Sequence, residues 1–367
     1  MLKRLYVDNF RCLVNFELLL ASFSSVLLVG KNGAGKSTVG RALRILQRLA
    51  RGTNRISDLI NAEDFSHERR EIPMRLEIEA SIMGRELAYS LAMELPTGFK
   101  ELRVSEESLS CDGILLYSRV QAQVTLFRSA SNSEAKFLVD WHLVALPLIQ
   151  EQSTSDPLHL FKNWLGRMLI LAPLPSQING YSEGDSLFPN IEVTNFGEWF
   201  AGLLAHSPAA YGKVDSFIRK VMPDFKDIKN PIIGKDTRSL IVQFFQNNTT
   251  LSIPFGMLSD GEKCYFVCAL LLAAYDAYGP LFCFWDEPDN YLTLSEVGHL
   301  AMDLRRVFES SGQIMMTSHN PEAIRQFSRD HIILLSRKSH LEPTRARTVS
   351  EISIQGDLID AIIRDDL

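Results

Sequence analysis

The sequence predicts an α/β fold that combines a mixed sheet, an antiparallel β-meander subdomain and a helical lobe. Near the N-terminus, a glycine-rich loop at residues 30–37 joins a short apolar run to a segment with helical spacing. Residues 74–127 alternate apolar and polar side chains with a period of two, which is typical of antiparallel strands with one buried face. The last part of the chain alternates helical and strand-like segments, as expected of an α/β core.

The composition is ordinary for a globular protein, with 46% hydrophobic and 22% charged residues among 367. The net charge of −6 argues against a globally basic nucleic-acid-binding chain, although it is compatible with a local basic patch. The five cysteines lie mostly in apolar runs, so we expect buried thiols in a reducing compartment. Because no apolar stretch has membrane-spanning length, we expect a cytoplasmic protein with no membrane partner.

Hydrophobic periodicity assigns each element in turn. Strands are predicted at residues 1–10, 14–20 and 24–29, a helix at 41–49, meander strands at 74–82, 87–95, 102–110 and 115–127, helices at 196–204 and 211–221, strands at 240–245 and 250–253, and a helix at 265–275. Residues 140–221 as a whole have a helical pattern that a loop at 173–190 interrupts.

The glycine-rich loop matches the pattern G-x-x-x-x-G-K-[ST] between a strand and a helix. Its glycines let the backbone curl so that N–H groups face phosphate oxygens, and the helix start adds partial positive charge. Lys36 is expected to reach the β- and γ-phosphates, and the Ser37 hydroxyl to ligate Mg²⁺. This P-loop predicts a nucleoside triphosphate site, with ATP and Mg²⁺ as cofactors. Its predicted binding residues are Gly30, Asn32, Gly33, Ala34, Gly35, Lys36, Ser37 and Thr38.

Two later strands end in residues suited to phosphate chemistry. The apolar run at 281–285 ends in Asp286, which is expected to hold Mg²⁺ opposite Ser37, and in Glu287. Glu287 is predicted to polarise the attacking water as a general base. The next strand leads to His319, which would lie beside the γ-phosphate if the two strands are parallel neighbours. We therefore predict Glu287 and His319 to be catalytic.

Residues 258–263, Leu-Ser-Asp-Gly-Glu-Lys, precede a long apolar helix. Ser259 is predicted to be its N-cap, and Glu262, three residues later, completes a capping box. Capping leaves Gly261 unexplained. Because glycine allows close backbone approach, this helix start is also a candidate phosphate site.

The order of these motifs, with Asp-Glu-Pro and Thr-Ser-His-Asn-Pro, resembles ABC-type ATPases of the RecF/SMC class, in particular compact AAA ATPases of bacterial DNA repair and anti-phage systems. The resemblance implies hydrolysis of ATP to ADP and phosphate, and a homodimer with ATP at the interface. Ser259, Gly261 and Glu262 would lie at the nucleotide of the partner chain, and His319 at the γ-phosphate in cis. Asn9-Phe10-Arg11 resembles the opening of this class, which implies that Arg11 lies near the ribose or phosphates.

We expect the chain to have three parts, and its sequence departs from the class at two points. Residues 1–139 would form an N-terminal ATPase part with the meander, 140–235 a helical lobe, and 236–367 a C-terminal ATPase part. Thr293 stands where the class often has Asp or His after the acidic pair. The glutamine of the Q-loop is not assigned, and its candidates are Gln121, Gln123 and Gln177.

Two functions remain open at this point. The chain is either a regulatory ATPase that holds a separate effector protein, as in phage defence, or a RecF-like clamp that binds DNA in repair. Two basic groups are compatible with DNA and equally with solvated surface. They are Arg41, Arg44, Arg48, Arg51 and Arg55 around the first helix, and Arg337, Lys338, Arg345 and Arg347 near the C-terminus.

Overall fold

The structure is a computed structural model that describes residues 1–20, 23–128, 133–352 and 359. Contacts divide the chain into two compact units, Met1–Met168 with Phe327–Leu367, and Leu169–Gln326. The division into parts at residues 139 and 235 stays a prediction. None of the helices in the described residues combines the length and the apolar character needed to span a bilayer.

The elements are numbered in chain order. The strands are β1 (Leu2–Asp8), β2 (Phe16–Leu19), β3 (Ser25–Val29), β4 (Met74–Ile82), β5 (Arg85–Glu94), β6 (Arg103–Cys111), β7 (Ile114–Val120), β8 (Gln123–Arg128), β9 (Ser133–Leu138), β10 (Leu169–Leu171), β11 (Tyr181–Ser182), β12 (Phe225–Lys229), β13 (Arg238–Ser239), β14 (Ile241–Gln246), β15 (Thr249–Pro254), β16 (Phe282–Trp285), β17 (Gln313–Thr317), β18 (Ile332–Ser336) and β19 (Arg345–Thr348). The helices are α1 (Lys36–Ala50), α2 (Pro157–Gly166), α3 (Phe196–His206), α4 (Ala210–Val221), α5 (Asp260–Tyr278), α6 (Leu294–Ser310) and α7 (Pro321–Arg325).

The first unit contains an antiparallel sheet in the order β2-β1-β4-β5-β6-β7-β8-β9. Its meander confirms the period-two pattern, since β4 alternates fully buried and half-buried residues along its length. The predicted strand at 115–127 is wrong, because the chain reverses within it and forms β7 and β8. Val120 pairs with Gln123, and Gln121 takes a left-handed φ of 53° in the two-residue turn. Gln121 and Ala122 are not the Gly or Asn of a typical hairpin turn, so the sequence gives no turn signal here.

A buried polar cluster joins the meander to the segment that follows it. The Glu107 carboxylate accepts hydrogen bonds from the Tyr117 and Tyr89 hydroxyls at 2.7 and 3.1 Å, and from the backbone N–H groups of Ala145 and Leu146. Arg119 lies 3.8 Å from Glu107, and both side chains are fully buried. Burial raises the pKa of Glu107. The cluster fixes residues 140–146 against the sheet, where helix was expected and none is found.

The first unit also holds the strand that leads into the P-loop. All five residues of β3 are buried, β18 runs parallel to it, and β19 pairs antiparallel with β18. The helix α1 packs against α2, and the Gln47 amide donates a buried hydrogen bond to the Met168 carbonyl. These contacts fix the position of the P-loop within this unit.

In the second unit, β10, β16 and β17 form parallel pairs. The neighbouring parallel strands expected for β16 and β17 are therefore confirmed. The helix α5 is buried around most of its circumference, as its nearly continuous apolar sequence indicates. Helices α3 and α4 confirm the predicted helices at 196–204 and 211–221, and an antiparallel sheet in the order β12-β14-β15 follows them.

Candidate nucleotide site

Two glycines of the P-loop occupy positions that other residues would strain. Gly30 has a φ of 150°, and a Cβ there would lie 2.2 Å from the Leu335 carbonyl oxygen. Gly35 has a φ of 102°, and its Cβ would lie 2.9 Å from Thr344 Oγ1. The pattern therefore requires glycine at both positions for steric reasons.

The start of α1 is suited to bind an anion. Gly35 is its N-cap, and within the described chain no side chain caps the helix and no acidic residue lies in its first turn. The N–H groups of a first turn have no partner inside the helix. An uncapped and acid-free helix start is therefore a fitting phosphate site.

The functional side chains of the P-loop fit the same ligand. Lys36 is buried, and its ammonium donates to the carbonyl oxygens of Gly30 at 2.7 Å and Lys31 at 3.3 Å. Ser37 is exposed, so its hydroxyl is accessible to a cation. A Cβ at Gly33 would meet nothing within 4 Å, which leaves open space over the loop. Asn32 is exposed as well, whereas Ala34 is buried.

Arg11 precedes Cys12, a residue that contacts the P-loop segment. The Cys12 thiol is 3.6 Å from Thr38 Oγ1. The Arg11 guanidinium donates to Asp64 Oδ1 at 2.7 Å, and its backbone has a left-handed φ of 52°. Asp64 thus orients Arg11, and the predicted contact of Arg11 with the nucleotide stays a proposal.

In the second unit, one hydroxyl contacts both members of the acidic pair, Asp286 and Glu287. Thr317 Oγ1 donates to Asp286 Oδ1 at 2.6 Å and accepts the backbone N–H of Glu287 at 2.9 Å. The Asp286 N–H donates to the Leu171 carbonyl at 2.7 Å, which extends the β10–β16 pairing. Glu287 has a left-handed φ of 48°, a conformation that a non-glycine residue seldom takes. Sequence reasoning missed this role of Thr317. Its position at the end of β17, the strand beside β16, is what brings its hydroxyl to Asp286 and Glu287.

Glu287 and His319 lie together just beyond the ends of the neighbouring parallel strands β16 and β17. The His319 Nδ1 atom is 3.7 Å from Glu287 Oε1, and the His319 side chain is 58% exposed. Glu287 Oε2 accepts a hydrogen bond from the Asn290 amide at 2.7 Å. One carboxylate oxygen is thus positioned by Asn290, and the other faces the histidine.

A second bridge between these loops was also missed by sequence reasoning. The buried Ser318 hydroxyl donates to Asp289 Oδ2 at 2.8 Å and accepts the N–H of Asn320 at 2.9 Å. Asp289 Oδ1 is buried and has no hydrogen-bond partner among the described residues. Burial raises the pKa of the Asp289 carboxyl. Asp289 therefore fixes the Ser318 hydroxyl, which in turn holds the backbone N–H of Asn320 on the other side of His319.

The start of α5 confirms the capping box in full. The Ser259 hydroxyl donates to Glu262 Oε2 at 2.7 Å, and the Glu262 N–H donates back to Ser259 Oγ at 3.3 Å. The structure gives a steric reason for glycine at position 261 that the sequence did not suggest. A Cβ there would lie 3.0 Å from the Tyr291 carbonyl oxygen. Lys263 donates to the Pro175 carbonyl at 3.0 Å inside the unit. Unlike α1, this helix start is satisfied by its own side chains.

A model of the family described as "AAA domain, putative AbiEii toxin, Type IV TA system" matches residues 25–325. The chain belongs to this family. The match extends from the P-loop strand to α7 and contains the acidic pair and His319. The resemblance to compact AAA ATPases is thereby confirmed, and a P-loop ATPase fold with nucleotide binding is what this family implies. A search of curated proteins found no match.

Solved structures show the same fold for this AAA-family chain. An SMC head bound to the C-winged helix domain of ScpA matches with a TM-score of 0.58 and 15% identity, over 95% of this chain and 98% of that one. An Smc head domain with an extended coiled coil, bound to the C-terminal domain of ScpA derived from Pyrococcus furiosus, matches with a TM-score of 0.54 and 14% identity, over 95% and 97%. The predicted fold class, an ABC-type head with a mixed sheet, is confirmed.

The remaining sequence candidates have definite places in this AAA-family fold. Gln121 and Gln123 lie in the hairpin of β7 and β8, whereas Gln177 follows β10 in the 3-10 turn Pro175–Gln177 of the unit that holds the acidic pair. Thr293 is the N-cap of α6, and its hydroxyl donates to Glu296 at 2.7 Å. A helix cap therefore explains Thr293.

The arginines around α1 are partly used within the protein. Arg48 donates to the Asp58 carbonyl, Arg51 to the Gly166 carbonyl, and Arg55 to Glu101. Arg41 and Arg44 are exposed. The structure thus gives part of this basic group an internal role and offers no specific support for DNA binding at α1.

Proposed function

We propose that this chain is an ATP-hydrolysing switch that dimerises around ATP and controls a separate effector protein in anti-phage defence. The single observation that carries the proposal is the uncapped, acid-free start of α1 beside Lys36 and Ser37. Family membership supports the assignment of this anion site to a nucleotide. The family description names a toxin of a toxin–antitoxin system, and this supports a role in defence with a second protein component.

The residues of the second unit supply the groups that hydrolysis needs. Glu287 is a carboxylate held in a fixed place by Thr317 and Asn290, as a general base for water must be. His319 lies beside it with an exposed ring that can bond a phosphate oxygen. Ser37 and Asp286 carry the hard oxygen donors that Mg²⁺ prefers, and we propose that they hold it. When bound, Mg²⁺ neutralises charge on the phosphate oxygens.

The surface around the start of α5 supports self-association. Met257 and Tyr291 expose 77% and 43% of their surface; Met257 lies two residues before Ser259, and the Tyr291 carbonyl lies beside Gly261. Exposed apolar residues near a polar centre are typical of interfaces. We propose that this surface covers the nucleotide of a partner chain. The Ser259 hydroxyl would then exchange its bond with Glu262 for one with the γ-phosphate.

A mixing experiment tests whether each site is completed by the partner chain. The variant Lys36→Ala keeps the α5 start but has an impaired P-loop, whereas Ser259→Arg keeps the P-loop but blocks the partner's site. Each variant alone should hydrolyse ATP at background rates, and an equimolar mixture should recover hydrolysis at up to about half the wild-type rate, because a mixed dimer has one complete site.

The controls decide between a shared site and a site within one chain. A mixture of Lys36→Ala with the double variant Lys36→Ala/Ser259→Arg should stay inactive, since it holds no intact P-loop. Wild-type hydrolysis by Ser259→Arg alone would overturn the shared site. For the effector, Glu287→Gln purified from the native host with ATP should carry a protein in stoichiometric amount, and its absence would contradict the effector role.

A further inference from the structure

The strand β15 is an open edge of the three-stranded sheet in the second unit. It pairs antiparallel with β14 on one side, and within the described chain no strand pairs with its other side. Just beyond β15, the Phe255 N–H donates to the Leu240 carbonyl at 3.0 Å. Because main-chain groups alternate in direction along an antiparallel strand, those of Thr250 and Ser252 point away from β14. They are therefore available to pair with another strand.

The buried face of this sheet is incomplete at the same edge. On that face, Leu251 pairs with Phe244, and Ile253 pairs with Val242. Phe244 and Val242 are buried, whereas Leu251 is 57% exposed. An added strand would place alternate side chains beside Leu251 on this face, and apolar ones would cover it.

The opposite face of the edge carries a cation. Lys226 of β12 reaches across Phe245 of β14, with its Nζ atom 5.4 Å from the ring centroid, and donates to Thr250 Oγ1 of β15 at 3.2 Å. Lys226 forms no ion pair with any residue that the structure describes. An acidic side chain next to Thr250 on an added strand would lie beside this ammonium group, and the two charges would attract each other.

The two faces together indicate the chemistry of the strand that fits. Its side chains would alternate between apolar residues on the face of Leu251 and acidic residues on the face of Lys226. A second copy of β15 does not meet this requirement, because its sequence Thr-Thr-Leu-Ser-Ile-Pro contains no acidic residue. Charge complementarity therefore favours a strand from a different protein.

The edge is fixed in place by the helix that follows it. The 3-10 turn Phe255–Met257 joins β15 to Ser259, the N-cap of α5. The Phe255 ring stacks on Phe196 at 4.5 Å and meets the ring of Phe266 in α5 edge-on at 5.3 Å. A strand bound to β15 would thus lie close in sequence to the α5 start, the surface that we propose to cover the nucleotide of a partner chain.

We propose that β15 is the docking edge for an extended segment of the effector protein in which apolar and acidic residues alternate. Assigning this segment to the effector rests on the proposed function, whereas the docking itself does not depend on ATP. Main-chain hydrogen bonds to Thr250 and Ser252 would supply affinity, and Leu251 and Lys226 would select the side chains of the segment.

Selection from a phage-displayed library of random peptides of about nine residues, a common strand length, tests the edge on the intact chain without ATP. The enriched peptides should alternate apolar and acidic residues. A labelled synthetic copy, measured by fluorescence anisotropy, should bind Ser252→Pro about 10-fold more weakly than the wild type, because proline removes an outward N–H group. Ser252→Ala is the matched control, since it keeps this N–H group, and it should bind like the wild type.

A charge variant tests the same edge without a change in the backbone. Lys226→Glu should bind the same peptide about 5-fold more weakly, because repulsion replaces attraction at a partly exposed pair. The matched control Lys235→Glu makes the same charge change at an exposed loop residue of the second unit and should bind like the wild type. This pair keeps the test decisive if Ser252→Pro has a lowered melting temperature.

Three results would overturn the proposal. They are a selection that enriches no alternating peptide, equal binding by Lys226→Glu and Lys235→Glu, and a wild type that is dimeric without ATP in light scattering while Lys226→Glu and Ser252→Ala stay dimeric and Ser252→Pro is a monomer. The last result would assign the edge to a second copy of the chain. An ATP-driven dimer without peptide binding would refute the docking edge alone, and peptide binding without an ATP-driven dimer would refute the proposed function alone.

Discussion

Replacing Thr317 with valine removes a hydroxyl that serves both members of the acidic pair. The side chain is fully buried, and valine matches its shape, so the change leaves packing intact. It deletes the 2.6 Å hydrogen bond to Asp286 Oδ1 and the 2.9 Å acceptor of the Glu287 N–H. The Glu287 backbone, held at a φ of 48°, loses the contact that fixes it.

The size of the effect follows from these two contacts. A hydrogen bond to a charged group contributes about 1.5–3 kcal/mol, and a buried donor left without a partner costs about 1–3 kcal/mol. Because the Glu287 backbone can relax once it is released, we expect a net loss of about 3 kcal/mol in the free energy of unfolding. Loss of a group that orients a ligating carboxylate typically lowers activity about 10–100-fold, and we expect a decrease in kcat of that size.

Urea unfolding and steady-state phosphate release measure the two effects, with Thr317→Ser as the matched control. Serine keeps the hydroxyl and loses one methyl group, so it should cost about 1 kcal/mol and retain most of kcat. If Thr317→Val and Thr317→Ser had equal stability and equal kcat, the hydroxyl would not position the acidic pair, and the reasoning would be refuted.

Three other predictions use single contacts. Lys36→Ala should weaken ATP binding roughly 10–100-fold in calorimetry, because a charge-assisted contact is lost, and unchanged affinity would contradict the P-loop assignment. Burial raises the pKa of Asp289 above its unfolded value of about 3.9, so the folded state retains a proton that the unfolded state releases, and wild-type stability falls as pH rises through that window. Asparagine does not titrate, so the stability of Asp289→Asn relative to wild type should be greater at about pH 7 than at about pH 4. A stability difference that does not change with pH would argue against a raised pKa of the buried Asp289 carboxyl. Glu107→Gln should lose about 3–5 kcal/mol in urea unfolding because Arg119 stays buried without its ion pair, and Glu107→Gln/Arg119→Met should recover part of the loss; no recovery would exclude the pair as the cause.

Local patterns in the sequence predicted the parts of the fold that depend on neighbouring residues. The capping box of Ser259 and Glu262 and the strand β4 appear as predicted, because capping and alternation act over a few residues. The turn at Gln121 escaped prediction because its left-handed residue is not glycine or asparagine. Long-range packing decides that conformation, and a local pattern does not contain it.

The site shows the same division between local and long-range information. Short motifs predict the P-loop, Asp286, Glu287 and His319 as site residues, and the predicted parallel neighbours β16 and β17 bring Glu287 and His319 together. Thr317, Ser318 and Asp289 were not found, because each acts through a partner about 30 residues away. Gly261 was assigned to a phosphate, whereas its nearest constraint is the Tyr291 carbonyl, which is remote in sequence.

The molar mass of Glu287→Gln in solution, measured by size-exclusion chromatography with light scattering, tests the central claim most directly. One chain has a mass of 41.4 kDa. With ATP and Mg²⁺ the variant should elute at about twice that mass, because it binds ATP and hydrolyses it slowly, and Glu287→Gln/Ser259→Arg should remain a monomer. A mass of one chain for Glu287→Gln when ATP is bound, or a dimer unaffected by Ser259→Arg, would contradict an ATP-driven switch.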